Sequence, residues 1–198
     1  MSRLRLGIFA SHHGRTMQHI LDACRNGTIE AVPGVIISNN RDAVALQRAD
    51  AAGIPNFLIN TRTHPDDEDR DRQILQILLD HNVHLVILAG YMKKIGPATL
   101  EHYRGHILNS HPALLPKYGG RGMYGMFVHE AVLAAGEQES GVTIHVVDEE
   151  YDHGPIVAQR TVPVYPSDDA SSLRDRVLAA EQGLYVETID RIARGQLL

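Results

Sequence analysis

Three short stretches of this chain carry side chains that could do chemistry. The first is Ser11-His12-His13-Gly14-Arg15-Thr16, which separates a short apolar run from an amphipathic one. If this turn opens a helix, its free backbone N–H groups and the positive end of the helix dipole favour an anion such as phosphate. Gly14 would let a ligand approach the backbone, and Arg15 offers a planar fork suited to phosphate; a plain strand–helix turn with a solvated arginine is the other reading. The stretch matches neither the dinucleotide fingerprint nor the P-loop. The second is Asn109-Ser110-His111-Pro112. Along an extended segment, residues i and i+2 share a side, so Asn109 and His111 point together. An amide and an imidazole there could both donate to the oxyanion of an acyl transfer, or they could simply close hydrogen bonds at a strand end. The third is Asp148-Glu149-Glu150-Tyr151-Asp152-His153-Gly154-Pro155, with four carboxylates in five residues. It reads either as a solvated turn or as an acidic loop folded back to hold a histidine protonated, which an opposite charge within about 4–6 Å favours.

The elements that must position these groups alternate in character. Leu4–Ala10 reads as a buried strand, and Arg15–Arg25 as a helix with Met17, Ile20, Leu21 and Cys24 on one face. Val32–Ser38 is a second strand. Asn39, Asn40 and Asp42 suggest a turn that caps a helix over Ala43–Ala52, closed by Gly53 and Pro55. Asn56–Ile59 is a short strand, Asp66–His81 a helix, and Leu85–Ala89 and His106–Asn109 further strands. After Asn109 the rhythm changes. Leu114–Met126 is irregular, His129–Ala135 helical, Val142–Val147 and Ile156–Val164 strands, and Ser171–Arg194 a long amphipathic helix. Strands alternating with helices imply a mostly parallel sheet covered on both faces, whose ligands sit at the carboxyl ends of the strands.

Composition narrows the function. A length of 198 residues fits one domain, and 43% hydrophobic with 22% charged residues is ordinary for a globular chain. The formal net charge of -5 gives no overall basic footprint for nucleic acid. The apolar run after Met1 breaks at His12, too short for a signal peptide, and no stretch approaches the roughly 20 apolar residues of a membrane span. The single cysteine, Cys24, rules out an internal disulfide and suits a reducing compartment. On an apolar helix face it reads as core, not nucleophile. The twelve histidines show no structural-zinc spacing, so no metal is expected.

Ile107 through Tyr118 (Ile-Leu-Asn-Ser-His-Pro-Ala-Leu-Leu-Pro-Lys-Tyr) resembles the signature segment of the phosphoribosylglycinamide formyltransferase family. Gly141–Val147 followed by Tyr151–Gln159 resembles its second signature, in the right order and distance, and Leu88–Met92 and Val35–Asn39 fit as well. The resemblance implies transfer of a formyl group from 10-formyltetrahydrofolate to the primary amine of glycinamide ribonucleotide in purine synthesis. It places Asn109, His111 and Asp152 in catalysis. Met92, Lys93, Ile95, Leu100 and the stretch Val147, Asp148, Glu149 and Glu150 would line the folate pocket. Gly14, Arg15 and Thr16 fall where the nucleotide phosphate binds, and Glu181 where the ribose hydroxyls are held. A cis bond at Leu115–Pro116 is also implied.

Departures from the pattern gather on the amine side: His12 and His13 before the phosphate loop, Arg15 within it, Asp67 where an arginine is expected, Leu178 in place of a polar or basic phosphate ligand, and a longer Gly119–Gly125 segment. A paralogue that formylates another amine, such as an amino sugar or amino-nucleoside, is therefore the alternative. A folate-binding module without turnover is less expected, because a binder needs no oxyanion site. Formyl-folate hydrolysis is less expected too, because its enzymes carry an extra N-terminal regulatory domain. The overall expectation is a single α/β formyltransferase domain over residues 1–198, with a Rossmann-like, mostly parallel sheet. It would be cytoplasmic, a monomer or homodimer, with small-molecule substrates and neither nucleic acid nor membrane as partner.

Overall fold

The computed structural model describes residues 3–197, so both ends of the expected domain lie just outside the described residues. Seven strands form one sheet in the order β3-β2-β1-β4-β5-β6-β7. They are β1 (Leu4–Phe9), β2 (Ala31–Ser38), β3 (Asn56–Leu58), β4 (Leu85–Leu88), β5 (Ile107–His111), β6 (Glu139–Val146) and β7 (Ile156–Pro163). The first five are mutually parallel, and β6 and β7 add antiparallel at one edge. The helices are α1 (Arg15–Arg25), α2 (Val44–Ala51), α3 (Asp67–Asp80), α4 (Pro97–His102), α5 (Met126–Ala134) and α6 (Ala170–Ala193).

Strand alternation builds two cores. Leu6, Ile8, Ile36, Leu85, Ile87 and Leu108 face one side with Met17, Ile20, Val132, Val177 and Tyr185 from the helices. Phe9, Val35, Ile37, Val86, Leu88 and Ile107 face the other, with Ile74, Ile77, Leu78 and Leu100. Successive residues of β1, β2 and β4 serve opposite faces, as the two-residue period of a strand covered on both sides requires. Gly7 on β1 is a point of close approach: a Cβ there would stand 2.7 Å from Leu78 Cδ2, so only glycine lets α3 settle this near the sheet. No helix among the described residues is long and apolar enough to cross a membrane.

The expected elements are present with small shifts. Helix α4 is an addition: six residues are too few to show a helical period. Its start is fixed from outside, by the buried carboxylate of Asp71 on α3. Asp71 accepts from Ala98 N at 2.6 Å, Thr99 N at 3.2 Å and Thr99 Oγ1 at 2.6 Å. The α2 cap also differs. Asn40 Oδ1 accepts from Asp42 N in the preceding turn, while the N-cap is Ala43 with no side-chain hydrogen bond. Cys24 is half-buried at the margin of the first core, not within it, and burial lifts its thiol to about 11, which leaves it inert. The Leu115–Pro116 bond is cis, as the resemblance implies.

Candidate active site

The site lies where the sheet changes direction. β5 runs parallel to β4 on one side and antiparallel to β6 on the other, and this register sets Asn109 opposite His145 and His111 opposite Thr143. The first pairing brings Asn109 Nδ2 to 3.1 Å from His145 Nε2. His145 Nδ1 lies 3.0 Å from the Val146 carbonyl. A carbonyl only accepts, so Nδ1 donates there, which leaves Nε2 to accept from one Asn109 N–H. The second amide hydrogen of Asn109 remains for the cleft. Thr143 does the scaffolding on its side: its Oγ1 donates to the Ala113 carbonyl at 2.7 Å and accepts from Leu115 N at 3.0 Å and Gln159 Nε2 at 2.9 Å. These bonds hold the chain that leaves β5 after His111.

Asp152 comes back to this strand end from the loop between β6 and β7, in a left-handed conformation with φ 57°. Its Oδ2 lies 3.3 Å from His111 Nδ1 and accepts from Gly120 N at 2.9 Å, and its Oδ1 lies 3.6 Å from His145 Nε2. Burial by itself would raise this carboxyl. A hydrogen bond from His111, the charge of His111 and the Gly120 N–H outweigh it and hold Asp152 well below the usual carboxylate range. His111 Nε2 in turn donates to the Tyr118 carbonyl at 2.7 Å. Both nitrogens of His111 therefore face acceptors, a geometry that a ring carrying both protons satisfies. The segment after β5 thus touches the two central groups through its backbone, at Tyr118 and Gly120. Gly119 between them sits so close that a Cβ would stand 2.5 Å from Leu115 Cδ2 and 3.3 Å from Asp152 Cβ.

Asn109, His111 and Asp152 open onto a cleft of about 1100 Å³ at the carboxyl ends of the parallel strands. The same cleft is lined by His12–Thr16 and Glu181. Helix α1 starts at Gly14, with φ 63° and no side chain capping its first turn, so its leading N–H groups remain available to a ligand. The Glu181 carboxylate accepts from Thr16 Oγ1 at 3.0 Å and Ser110 Oγ at 2.9 Å, and burial raises its pKa against those two bonds. The site thus ties β5, α1 and α6 together through one carboxylate.

The residues expected around a folate divide. Met92 and Lys93 line this cleft and also an adjoining one of about 1150 Å³, which Ile95 lines as well. Ser11 Oγ fixes this corner by accepting from Met92 N at 2.7 Å and donating to Asn39 Oδ1 at 2.5 Å. Leu100 is buried in the second core with Val147 packed against that core. Asp148 pairs with His153 at 2.9 Å, while Glu149 and Glu150 are exposed. Neither cleft takes its lining from these last five. No group of histidine, cysteine or carboxylate side chains among the described residues is arranged to hold a metal.

His145, Thr143, Gln159 and the Tyr118 carbonyl escape a reading of the sequence alone. One signal was available for two of them: Thr143 and His145 are polar residues two apart in the otherwise apolar stretch Val142–Val147, and so share a buried side.

The formyl transferase family matches residues 4–189. Phosphoribosylglycinamide formyltransferase of Escherichia coli is 34% identical over 194 residues, covering 98% of this chain and 89% of the bacterial one. The chloroplastic phosphoribosylglycinamide formyltransferase of Arabidopsis thaliana is 37% identical over 196 residues, covering 98% of this chain and 67% of the plant protein. Among solved structures, glycinamide ribonucleotide transformylase 1 from Symbiobacterium toebii superposes with a TM-score of 0.92 at 36% identity, over 100% of this chain and 91% of that one.

Proposed function

Because this chain belongs to the phosphoribosylglycinamide formyltransferase family, we propose that its cleft transfers a formyl group from 10-formyltetrahydrofolate to the primary amine of glycinamide ribonucleotide. The observation that carries this reading is the carboxylate of Asp152 set against His111 and His145 at the end of the strand that bears Asn109. A folate-derived donor suits the corner at Met92 and Lys93, where an apolar side chain and a cation face the same cleft. The acceptor's phosphate suits the uncapped start of α1 with Arg15, and its ribose hydroxyls suit Glu181.

The chemistry follows from charge. When the amine attacks the formyl carbon, negative charge gathers on the formyl oxygen. The free N–H of Asn109 donates to that oxygen, and His111 adds its own N–H by exchanging the Tyr118 carbonyl for a fully charged acceptor. One such donor is worth about 3–4 kcal/mol of barrier. Asp152 holds His111 protonated and takes part in moving the proton from the attacking amine toward the departing nitrogen of the folate. The acyl transfer is direct, so no covalent enzyme intermediate enters the scheme.

The test is an acceptor screen with purified protein and 10-formyltetrahydrofolate, following release of tetrahydrofolate. Turnover should be strongest with glycinamide ribonucleotide. Release that is equal with and without any amine, or that prefers an uncharged amine, would refute this reading.

A further inference from the structure

The chemistry above uses the α6 wall of the cleft only at Glu181. Helix α6 faces the cleft with Arg174, Val177, Leu178 and Glu181, the i, i+3, i+4, i+7 spacing of a single helix face. Glu181 accepts from the hydroxyls of Thr16 and Ser110 through Oε1 alone. Leu178, where a polar phosphate ligand is expected, is apolar. One turn earlier, Arg174 supplies a guanidinium to the same cleft. Its partners are weak ones. Nε and Nη2 reach Asp175 Oδ1 at 3.0 and 2.8 Å, Nη2 reaches Ser171 Oγ at 3.1 Å, and Nη1 lies 3.8 Å from the Met126 sulfur. An ion pair with the adjacent residue in solvent contributes little and is readily exchanged.

A second observation marks the same spot. His129 on α5 lines the cleft, is only 2% exposed, and its Nδ1 has no hydrogen-bond partner. Buried polar atoms are nearly always satisfied, so an unpaired ring nitrogen on a residue that lines the cleft stands out. Burial first, then the charges of Arg174 and His111, push the imidazole down to about 4. It is therefore neutral at physiological pH and brings hydrogen-bonding capacity without charge.

We propose that Arg174, with His129 beside it, grips the acceptor's phosphate from the α6 side, opposite Arg15 on α1, and so sets this chain's preference for a phosphorylated amine. The assignment rests on the acceptor reading above. Spacing supports it: seven residues separate Arg174 from Glu181, about 10 Å along the helix. With its ribose on Glu181, the acceptor projects its phosphate along α6 toward the guanidinium. Two arginines from different helices also explain how a chain with leucine at 178 retains its grip.

The test compares the whole protein with its Arg174→Ala and Arg174→Lys variants. Michaelis constants are measured for glycinamide ribonucleotide and for the formyl donor, with ribose 5-phosphate and ribose as competing probes. Arg174→Ala should raise the acceptor constant about 10-fold or more, the range of a charge-assisted hydrogen bond. It should weaken inhibition by ribose 5-phosphate in parallel, and leave kcat and the donor constant within about 3-fold. Arg174→Lys should recover part of the loss, since it keeps the charge but not the fork. An unchanged acceptor constant, or equal rises for both substrates with a lowered melting temperature, overturns the assignment while leaving the proposed function standing. Failure of the unaltered protein to use glycinamide ribonucleotide overturns both.

Discussion

Replacing Asp152 by asparagine keeps the shape of the side chain and removes its charge. In the folded protein this carboxylate is 11% exposed, 3.3 Å from His111 Nδ1, 3.6 Å from His145 Nε2 and 2.9 Å from Gly120 N. At an effective dielectric of about 20, a unit pair at that first distance attracts by about 5 kcal/mol. Desolvation consumes a part, and the hydrogen bonds and the His111 charge around Asp152 outweigh it. With about 3 kcal/mol left to stabilise a charged His111 in the transition state, kcat should fall at least about 100-fold. The assay is release of tetrahydrofolate at saturating substrates, alongside urea unfolding at several pH values. A folded pKa below the unfolded one adds stability above the unfolded value of about 3.9, and that stability is lost as pH falls toward the folded value. The variant should therefore be the less stable protein at neutral pH, and the gap should close below about pH 4. A kcat within about 3-fold of the unaltered enzyme, or a gap that widens in acid, would show that Asp152 does not act as a charged partner of His111.

Other outcomes are equally open to measurement. His111→Ala should also lose at least about 100-fold in turnover with the fold intact, and adding Asp152→Asn should cost far less than the product of the two losses, since one acts through the other; multiplicative losses would separate them. Arg15→Ala should raise the Michaelis constant for the phosphorylated acceptor by about 10- to 150-fold and leave folate affinity unchanged; a silent mutation would take Arg15 out of the phosphate site. Because the folded His129 titrates at about 4 and an unfolded histidine at about 6.5, its contribution is full above pH 6.5 and shrinks by about 3 kcal/mol as pH falls to 4. In His129→Gln that part of the pH dependence should vanish, and an unchanged profile would contradict the buried neutral ring. Asp71→Ala strands Ala98 N, Thr99 N and the Thr99 hydroxyl and should cost about 3 kcal/mol in urea unfolding; a loss under 1 kcal/mol would mean water replaces the carboxylate.

The fold is largely legible because its strands are short, apolar and separated by amphipathic stretches. Leu6 and Ile8 on one face against Phe9 on the other is a pattern that composition and spacing reveal directly. Helix α4 is not legible, because its six residues start on a carboxylate that approaches from α3. The α2 cap misleads because Asn40 spends its side chain inside the turn. In the site, the shared side of Asn109 and His111 follows from strand alternation, whereas only the family resemblance picks Asp152 out of its acidic run. What surrounds them depends on pairing: His145 meets Asn109 only through the antiparallel register of β5 and β6, which local propensity does not specify. The Tyr118 carbonyl is harder still, since a main-chain acceptor leaves no mark on residue type.

That main-chain character has a consequence for how this enzyme can change. Tyr118 and Gly120 reach His111 and Asp152 through a carbonyl and an N–H, atoms that every non-proline residue owns. The stretch that follows supplies side chains to the cleft, among them Arg121, Met123 and Tyr124. Its side chains can therefore change while the reacting centre registers nothing, provided the path of the chain is kept. The path depends on the tight fit at Gly119 and on the left-handed residues Tyr118, Gly120, Gly122 and Gly125. Substitution and insertion thus have different reach here: replacing a side chain alters the lining of the cleft, whereas adding or deleting a residue displaces the carbonyl and the N–H that hold His111 and Asp152.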